Sequence, residues 1–220
     1  MIARRASTSR SRRNDDYGGD MNRIIVFAVL ALVAGFAAGH YLWRGHKAPA
    51  QADGYDTTVL LKTIDARHAT REFDPTRPID DKTMGEIAWA AFGKNSHGTR
   101  TIPTAMNEQN LKVYAIRGDG VFLVDGEHLN QVSNKDLRHL FTKQDYMRDV
   151  PLVLLFAGSD KKYSPMHAGS SYQNVALYCA SRGIGNVVRA YFDAPAVEKA
   201  LGFKKGEFAI ISQAIGWGKK

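Results

Sequence analysis

Apolar residues first recur at helical spacing at Val59, Leu60 and Ile64, in a segment that runs into residues 66–74 and stops before Pro75. If that helix persists, Arg67 and Arg71 lie four apart on one face, where like charges repel unless an anion sits between them. A second helical pattern covers residues 82–92, with Met84, Ile87, Ala88 and Ala91 on one side and Asp80 or Asp81 as cap. Residues 93–98 form a loop, and residues 102–107 are too polar and proline-restricted for a core element. Segments 111–116 and 121–124 flank Arg117-Gly118-Asp119-Gly120, which predicts a hairpin. Residues 134–141 read as a short helix. The continuous apolar run 151–157 predicts a central strand covered on both faces. Helices are expected over 170–182, closed by Gly183, and over 194–201, opened by Asp193-Ala194-Pro195 and closed by Gly202. Residues 208–215 predict a last strand. No internal repeat is visible. Helices interleaved with hairpin strands give an α+β class, an open sheet with helices packed around it.

Ahead of this domain, residues 24–43 are apolar with His40 as the one polar interruption, the length needed to cross a hydrocarbon core of ~30 Å as a helix. Arginines crowd its N-terminal side, while Arg44 and Lys47 follow it. The positive-inside rule then leaves residues 1–23 as a basic cytoplasmic tail and carries everything beyond residue 44 across the membrane. A cleaved signal sequence starting at Met21, with cleavage among Ala48, Ala50 and Ala52, competes with the anchor. Either way the domain is exported, anchored in a bacterial inner membrane facing the periplasm or free in the periplasm. Residues 44–55 are a polar linker, and the folded domain is expected over 56–220.

The formal charge of +8 suggests a nucleic-acid partner at first sight. However, Arg4, Arg5, Arg10, Arg12, Arg13 and Arg23 against Asp15, Asp16 and Asp20 supply +3 of it before the domain begins. The remainder is spread thinly without basic-aromatic interleaving, so no nucleic acid is expected. Cys179 is the one cysteine, which excludes an intrachain disulfide and a cysteine-based metal site. It lies among Val175, Ala176, Leu177 and Ala180, as a buried inert thiol would. His128, His139 and His167 are too scattered for a metal centre, and no metal is expected.

Three separated segments carry candidate chemistry. Arg67-His68-Ala69-Thr70-Arg71 offers two fixed cations. Pro103-Thr104-Ala105-Met106-Asn107 offers a hydroxyl, an amide and a stiffened backbone. The stretch from Gly183-Ile184-Gly185 to Val188-Arg189-Ala190-Tyr191 offers backbone groups that a flat ligand could approach. His68 reads as a capping or surface histidine rather than a proton donor, His97 and Arg100 as solvated loop residues, and Trp89, Phe92 and Tyr178 as core.

In order and spacing these segments resemble the nitroreductase family of flavoproteins. Members carry Arg-x-Ser-x-Arg or Lys, then Pro-Ser-x-x-Asn, a helix containing Gln-Asn, a Gly-x-Gly loop and a terminal strand. The counterparts are Arg67/Ala69/Arg71, Pro103 to Asn107, Gln173-Asn174, Gly183-Ile184-Gly185 and Gly216-Trp217, with Arg71-Glu72-Phe73-Asp74 and the stretch from Trp89 to Gly93 also in place. The resemblance spans residues 57–220 and implies a central, mostly antiparallel sheet surrounded by helices. It implies a homodimer with FMN at the interface. Carried across, it puts Arg67 on the phosphate, with His68 and Ala69 beside it, and Arg71 on the N1/O2 side of the flavin. Pro103, Thr104 and Asn107 would reach the flavin of the partner, and Val188, Arg189, Ala190 and Tyr191 would face its ring near N5. Lys219 would be a phosphate contact and Gln144 a ribityl contact. Ala69 departs from the usual serine, and Tyr191 would crowd or stack on the ring. The implied activity is transfer of a hydride through the flavin to a small oxidised acceptor: a nitro compound, quinone or activated alkene. The donor stays open, because an exported domain does not meet NAD(P)H. A membrane-anchored flavin-binding or electron-transfer module without its own turnover is the competing expectation.

Overall fold

The computed structural model describes residues 58–126 and 128–219. The expected tail, apolar span and linker over residues 1–55 lie outside the described residues. Among the described residues, no helix is long and apolar enough to cross a membrane.

Six antiparallel strands form one sheet in the order β3-β2-β1-β4-β6-β5, from β1 (Leu111–Arg117), β2 (Gly120–Asp125), β3 (His128–Ser133), β4 (Leu152–Gly158), β5 (Gly185–Arg189) and β6 (Phe208–Gly216). Every residue of β4 is buried, as a run without polar alternation requires. Its two faces divide the core. Leu152, Leu154 and Phe156 pack with Met84, Ile87, Val175 and Cys179 under helices α2 (Asp81–Phe92) and α3 (Ser164–Ser181). Val153, Leu155 and Ala157 face Phe141, Val187, Phe192 and Val197 under α4 (Ala194–Ala200).

Local signals account for most boundaries. The Asp80 carboxylate accepts the Thr83 N–H and caps α2, and that charge-assisted bond holds its carboxyl below the usual carboxylate range. Asp193 caps α4 in the same way through the Ala196 N–H. Gly183 takes φ +67° just past α3, the left-handed geometry that ends a helix there. The last carbonyls of α2 are met by tertiary partners. The Thr101 hydroxyl serves Trp89 and Ala90, Asn174 Nδ2 serves Ala90, the Ser171 hydroxyl serves Ala91 at 2.6 Å and Arg100 Nη1 serves Phe92 at 2.9 Å. Arg100 is thus half-buried structure and not a solvated loop residue, and burial pulls its pKa below the usual arginine value.

Several expectations change. Helix α1 (Thr58–Ala66) stops before Arg67, so Arg67 and Arg71 do not share a helix face; Thr70 is drawn instead into backbone pairing with the sheet. The short helix over 134–141 shrinks to a 3-10 turn at Arg138–Phe141. Strand β3 is mostly exposed and polar, which left no periodic signal for it. Helix α3 begins at Ser164, well before residue 170, because Pro165 is compatible with a first turn and Asp160 accepts the N–H groups of Lys162 and Tyr163. Trp89 is 49% exposed, its indole N–H turned out to the Lys94 carbonyl.

Ser171 is fully buried between α2 and α3. Ser171→Ala removes the hydroxyl donor of the Ala91 carbonyl, and chemical denaturation should show a loss of about 1–3 kcal/mol. A variant as stable as the parent would mean that carbonyl is satisfied without it.

Candidate functional site

Residues 70–74 form an extended arm held on both sides. The Thr70 N–H donates to the Asn186 carbonyl at 2.9 Å on the outer edge of β5, and the Asp74 N–H donates to the Trp217 carbonyl at 2.8 Å. Phe73 pairs with Gly218 as an isolated bridge, and the Lys219 N–H meets the Glu72 carbonyl at 3.3 Å. The tail after β6 is anchored in turn, with Trp217 under the Arg77 guanidinium at 4.0 Å and its indole N–H on the Pro78 carbonyl. Thr70 lies so close to β5 that a Cβ on Gly185 would meet its side chain at 2.9 Å. A glycine is required there for the arm to dock.

This docking leaves an open cleft of about 630 Å³. His68, Ala69, Thr70, Arg71 and Glu72 of the arm form one wall. Gly183, Ile184, Gly185 and Asn186 form the other, and Gly218 with Lys219 closes one side. Of the expected residues, His68, Ala69, Arg71 and Lys219 meet here. Arg67 is exposed between two lining residues, Ala66 and His68, but is not itself part of the wall. His68 bonds the Ala66 carbonyl through Nδ1 at 2.9 Å; a carbonyl only accepts, so Nδ1 carries the proton and Nε2 stays available. Lys219 shares its charge with Asp149 at 3.2 Å. The cleft thus joins Arg71 and Lys219 with one carboxylate, Glu72, on its wall.

Strand β5 is the last of the sheet, so alternate backbone groups point away from β6. Asn186 uses its outward carbonyl for Thr70, and Val188, two residues on, faces the same way with no backbone partner among the described residues. Ala190 and Tyr191 follow, both exposed, with Lys143 Nζ 5.5 Å from the Tyr191 ring. The edge therefore runs from the cleft past a free N–H to an exposed aromatic ring.

Two expected site residues are placed otherwise. Arg189 is 6% exposed, and its guanidinium donates to the Phe141 carbonyl at 2.7 Å, to the Tyr191 carbonyl and to Gln144 Oε1 at 3.0 Å. Gln144 Oε1 also accepts from the Tyr146 hydroxyl at 3.2 Å, so its acceptor is spent inside the protein rather than on a ligand. Burial lowers the Arg189 pKa, and no carboxylate pairs with it among the described residues. Its side chain is a clamp that fixes Tyr191 and the Phe141–Phe192 ring pair, leaving only the backbone of this stretch for a ligand.

Pro103, Thr104 and Asn107 lie elsewhere. Their turn is a single 3-10 turn, Ala105–Asn107, in which Met106 and Asn107 take φ +53° and +57°. Side chains adopt that left-handed geometry at roughly 1–2 kcal/mol each. The Ala105 N–H donates to His167 Nε2 at 2.8 Å, near the start of α3. Ala180, on the cleft, sits in the last turn of the same helix. Thirteen residues at 1.5 Å each put the two ends about 20 Å apart. Within one chain the turn and the cleft are separate. Nothing local in the sequence marks His167 as a buried acceptor for a distant N–H.

Cys179 is buried, and burial alone pushes its thiol up to about 12. Among the described residues, no three His, Cys, Asp or Glu side chains converge as metal ligands.

Arg189→Leu leaves the Phe141 and Tyr191 carbonyls without their donor and Gln144 Oε1 with the Tyr146 hydroxyl alone, and should lower stability by about 2–4 kcal/mol in chemical denaturation. Arg189→Lys should rescue little, because one ammonium cannot span the Phe141, Gln144 and Tyr191 acceptors. Full rescue by lysine would show that charge, not the fork, is what matters.

The profile of the nitroreductase family matches residues 64–217. A crystal structure of a protein assigned as a nitroreductase from Ralstonia eutropha JMP134 is 31% identical, with TM-score 0.68, covering 79% of this chain and 88% of that one. A Desulfovibrio desulfuricans protein assigned as a nitroreductase and solved with FMN is 17% identical, with TM-score 0.57, covering 76% of this chain and 89% of its own. The E. coli microcin synthetase McbBCD complex shares the fold at 17% identity and TM-score 0.60, covering 83% of this chain and 82% of that one. No curated protein sequence matches the chain. A profile spanning the arm and the whole sheet, with a relative 31% identical of which most is covered, means that this chain belongs to the nitroreductase family.

Proposed function

We propose that the chain is an FMN-dependent oxidoreductase that passes a hydride from a donor to an oxidised organic acceptor, such as a nitro compound, a quinone or an activated alkene. The observation that carries this reading is the cleft where the arm, Gly185 and the tail meet beside the unpaired edge of β5. Its residues suit FMN: Lys219 and, alongside, Arg67 offer cations for a phosphate, Arg71 offers a cation for the ring, and Gly185 lets the arm dock against the strand. The outward backbone of Val188 and the exposed Ala190 and Tyr191 are groups a flat ring can approach. When bound, FMN would supply the two-electron chemistry at its N5. Arg67, beside the wall, would hold the phosphate, Arg71 would reach the N1/O2 side where negative charge develops, and backbone groups of Val188 to Tyr191 would orient the ring near N5. His68 offers Nε2 to the same wall. Ala69 supplies no hydroxyl where the family carries serine, and Thr70, packed on Gly185, is the nearest substitute.

A homodimer fits this site. The turn with Thr104 and Asn107 sits near the start of α3, about 20 Å along that helix from the Ala180 end that lines the cleft, a separation that suits a contribution to the cleft of a second copy. Helix α1 buries none of its residues and leaves Val59, Leu60 and Ile64 48–66% exposed, an apolar face that a second copy would cover. Residues 24–43 would place the domain on the periplasmic side of a bacterial inner membrane, as an anchor or a cleaved signal. The donor there would be a membrane quinol, another redox protein or none, and NAD(P)H stays open. Ala69 and the Glu72 carboxylate on the wall favour a second reading, a flavin-binding or electron-transfer module without its own turnover.

Purified protein should carry flavin absorbance that bleaches on reduction and returns when a nitroaromatic or quinone is added. Bleaching without return would favour the electron-transfer module, and protein that takes up no FMN would overturn both. Arg67→Ala should weaken FMN binding about a hundredfold, and Ala69→Ser should tighten it about fivefold. Unchanged affinity in both variants would place the site elsewhere.

A further inference from the structure

The buried side chain of His167 stands outside the proposed chemistry. His167 is 3% exposed, and both ring nitrogens are engaged. The Ala105 N–H can only donate, so Nε2 accepts; Nδ1 therefore carries the proton and donates to Asn110 Oδ1 at 2.9 Å. Asn110 is fixed in turn by the Ser164 hydroxyl, which donates to Oδ1 at 3.1 Å.

The residue that His167 grips stands directly before the left-handed pair Met106 and Asn107. Inside the turn, the Thr104 carbonyl accepts the Asn107 N–H and the Ala105 carbonyl accepts the Glu108 N–H. Met106 is 80% exposed, so it does not pack to hold the shape. The bond to His167 ties this strained turn to the body of the domain. Helix α3 carries His167 near its start and lines the cleft near its end, so one rigid rod sets the spacing between the turn and the cleft.

We infer that His167 is a positioning residue: through Ala105 it holds the turn in the shape that presents Thr104 and Asn107 to the FMN of a second copy. This rests on the FMN reading above.

Full-length protein tests it through FMN dissociation constants and amide hydrogen exchange. His167→Leu removes the acceptor at similar volume, and His167→Gln restores an acceptor with its amide oxygen. In His167→Leu the amides of residues 105–108 should exchange faster and FMN should bind about tenfold more weakly; His167→Gln should recover most of both. Thr104→Ala should also weaken FMN. The double variant should bind within about twofold of the weaker single variant, because both act through one turn. Unchanged FMN affinity in His167→Leu, or losses that multiply in the double variant, would overturn the inference and leave the FMN reading standing. Wild-type protein that takes up no FMN would overturn both. Should His167→Leu fail to fold, His167→Asn, which reaches only Asn110, replaces it; affinity equal to that of His167→Gln would overturn the positioning role.

Discussion

The backbone hydrogen bond from the Thr70 N–H to the Asn186 carbonyl sets where the candidate cleft opens. It docks the arm on the last strand of the sheet, and the Asp74–Trp217 bond carries the same segment onto the C-terminal tail. An open sheet edge invites pairing with other chains, and here the arm covers one half of it. The other half, from Val188 onward, is left with outward backbone groups beside the cleft. The protected half fixes geometry and the free half is available for recognition. Gly185 makes this possible, because any side chain there would hold Thr70 off the strand.

Several polar side chains that look like functional groups are spent on the fold. Arg189 is an arginine without a carboxylate partner among the described residues, solvated by carbonyl and amide oxygens beside the Tyr146 ring, and it holds together the two segments that carry Phe141 and Tyr191. Asn174, Ser171, Thr101 and Arg100 satisfy the carbonyl end of α2 and bind that helix to α3 and the following loop. A buried polar group left unpaired costs more than a made bond gains, so such networks specify one arrangement rather than merely stabilising it. The consequence for the site is rigidity: the strand end at Tyr191 and the turn at Asn107 are each held by a buried cation or imidazole behind them.

Helix α3 is the element that relates the two halves of the proposed site. It fixes the cleft at one end and the Thr104–Asn107 turn at the other. The same rod keeps these groups apart within one chain. At the surface, α1 presents an exposed apolar face of Val59, Leu60 and Ile64.

Much of this was legible in residue order. The buried run of β4, the hairpin at Gly118-Asp119, the caps Asp80 and Asp193 and the glycine stops Gly183 and Gly202 depend on neighbours in sequence, so their chemistry could be read directly. The motif residues around Arg67, Thr104 and Val188 were likewise visible as separate segments. Which of them meet was decided by tertiary contacts. Arg67 and Arg71 left the helix because Thr70 found a strand partner far along the chain. Gln144 and Arg189 turned inward toward each other. His167, unremarkable in sequence, became the acceptor for a distant N–H. Periodicity and capping are local and survive in the sequence, whereas the pairing of a buried donor with its acceptor depends on which distant segments the packed core brings within hydrogen-bonding reach.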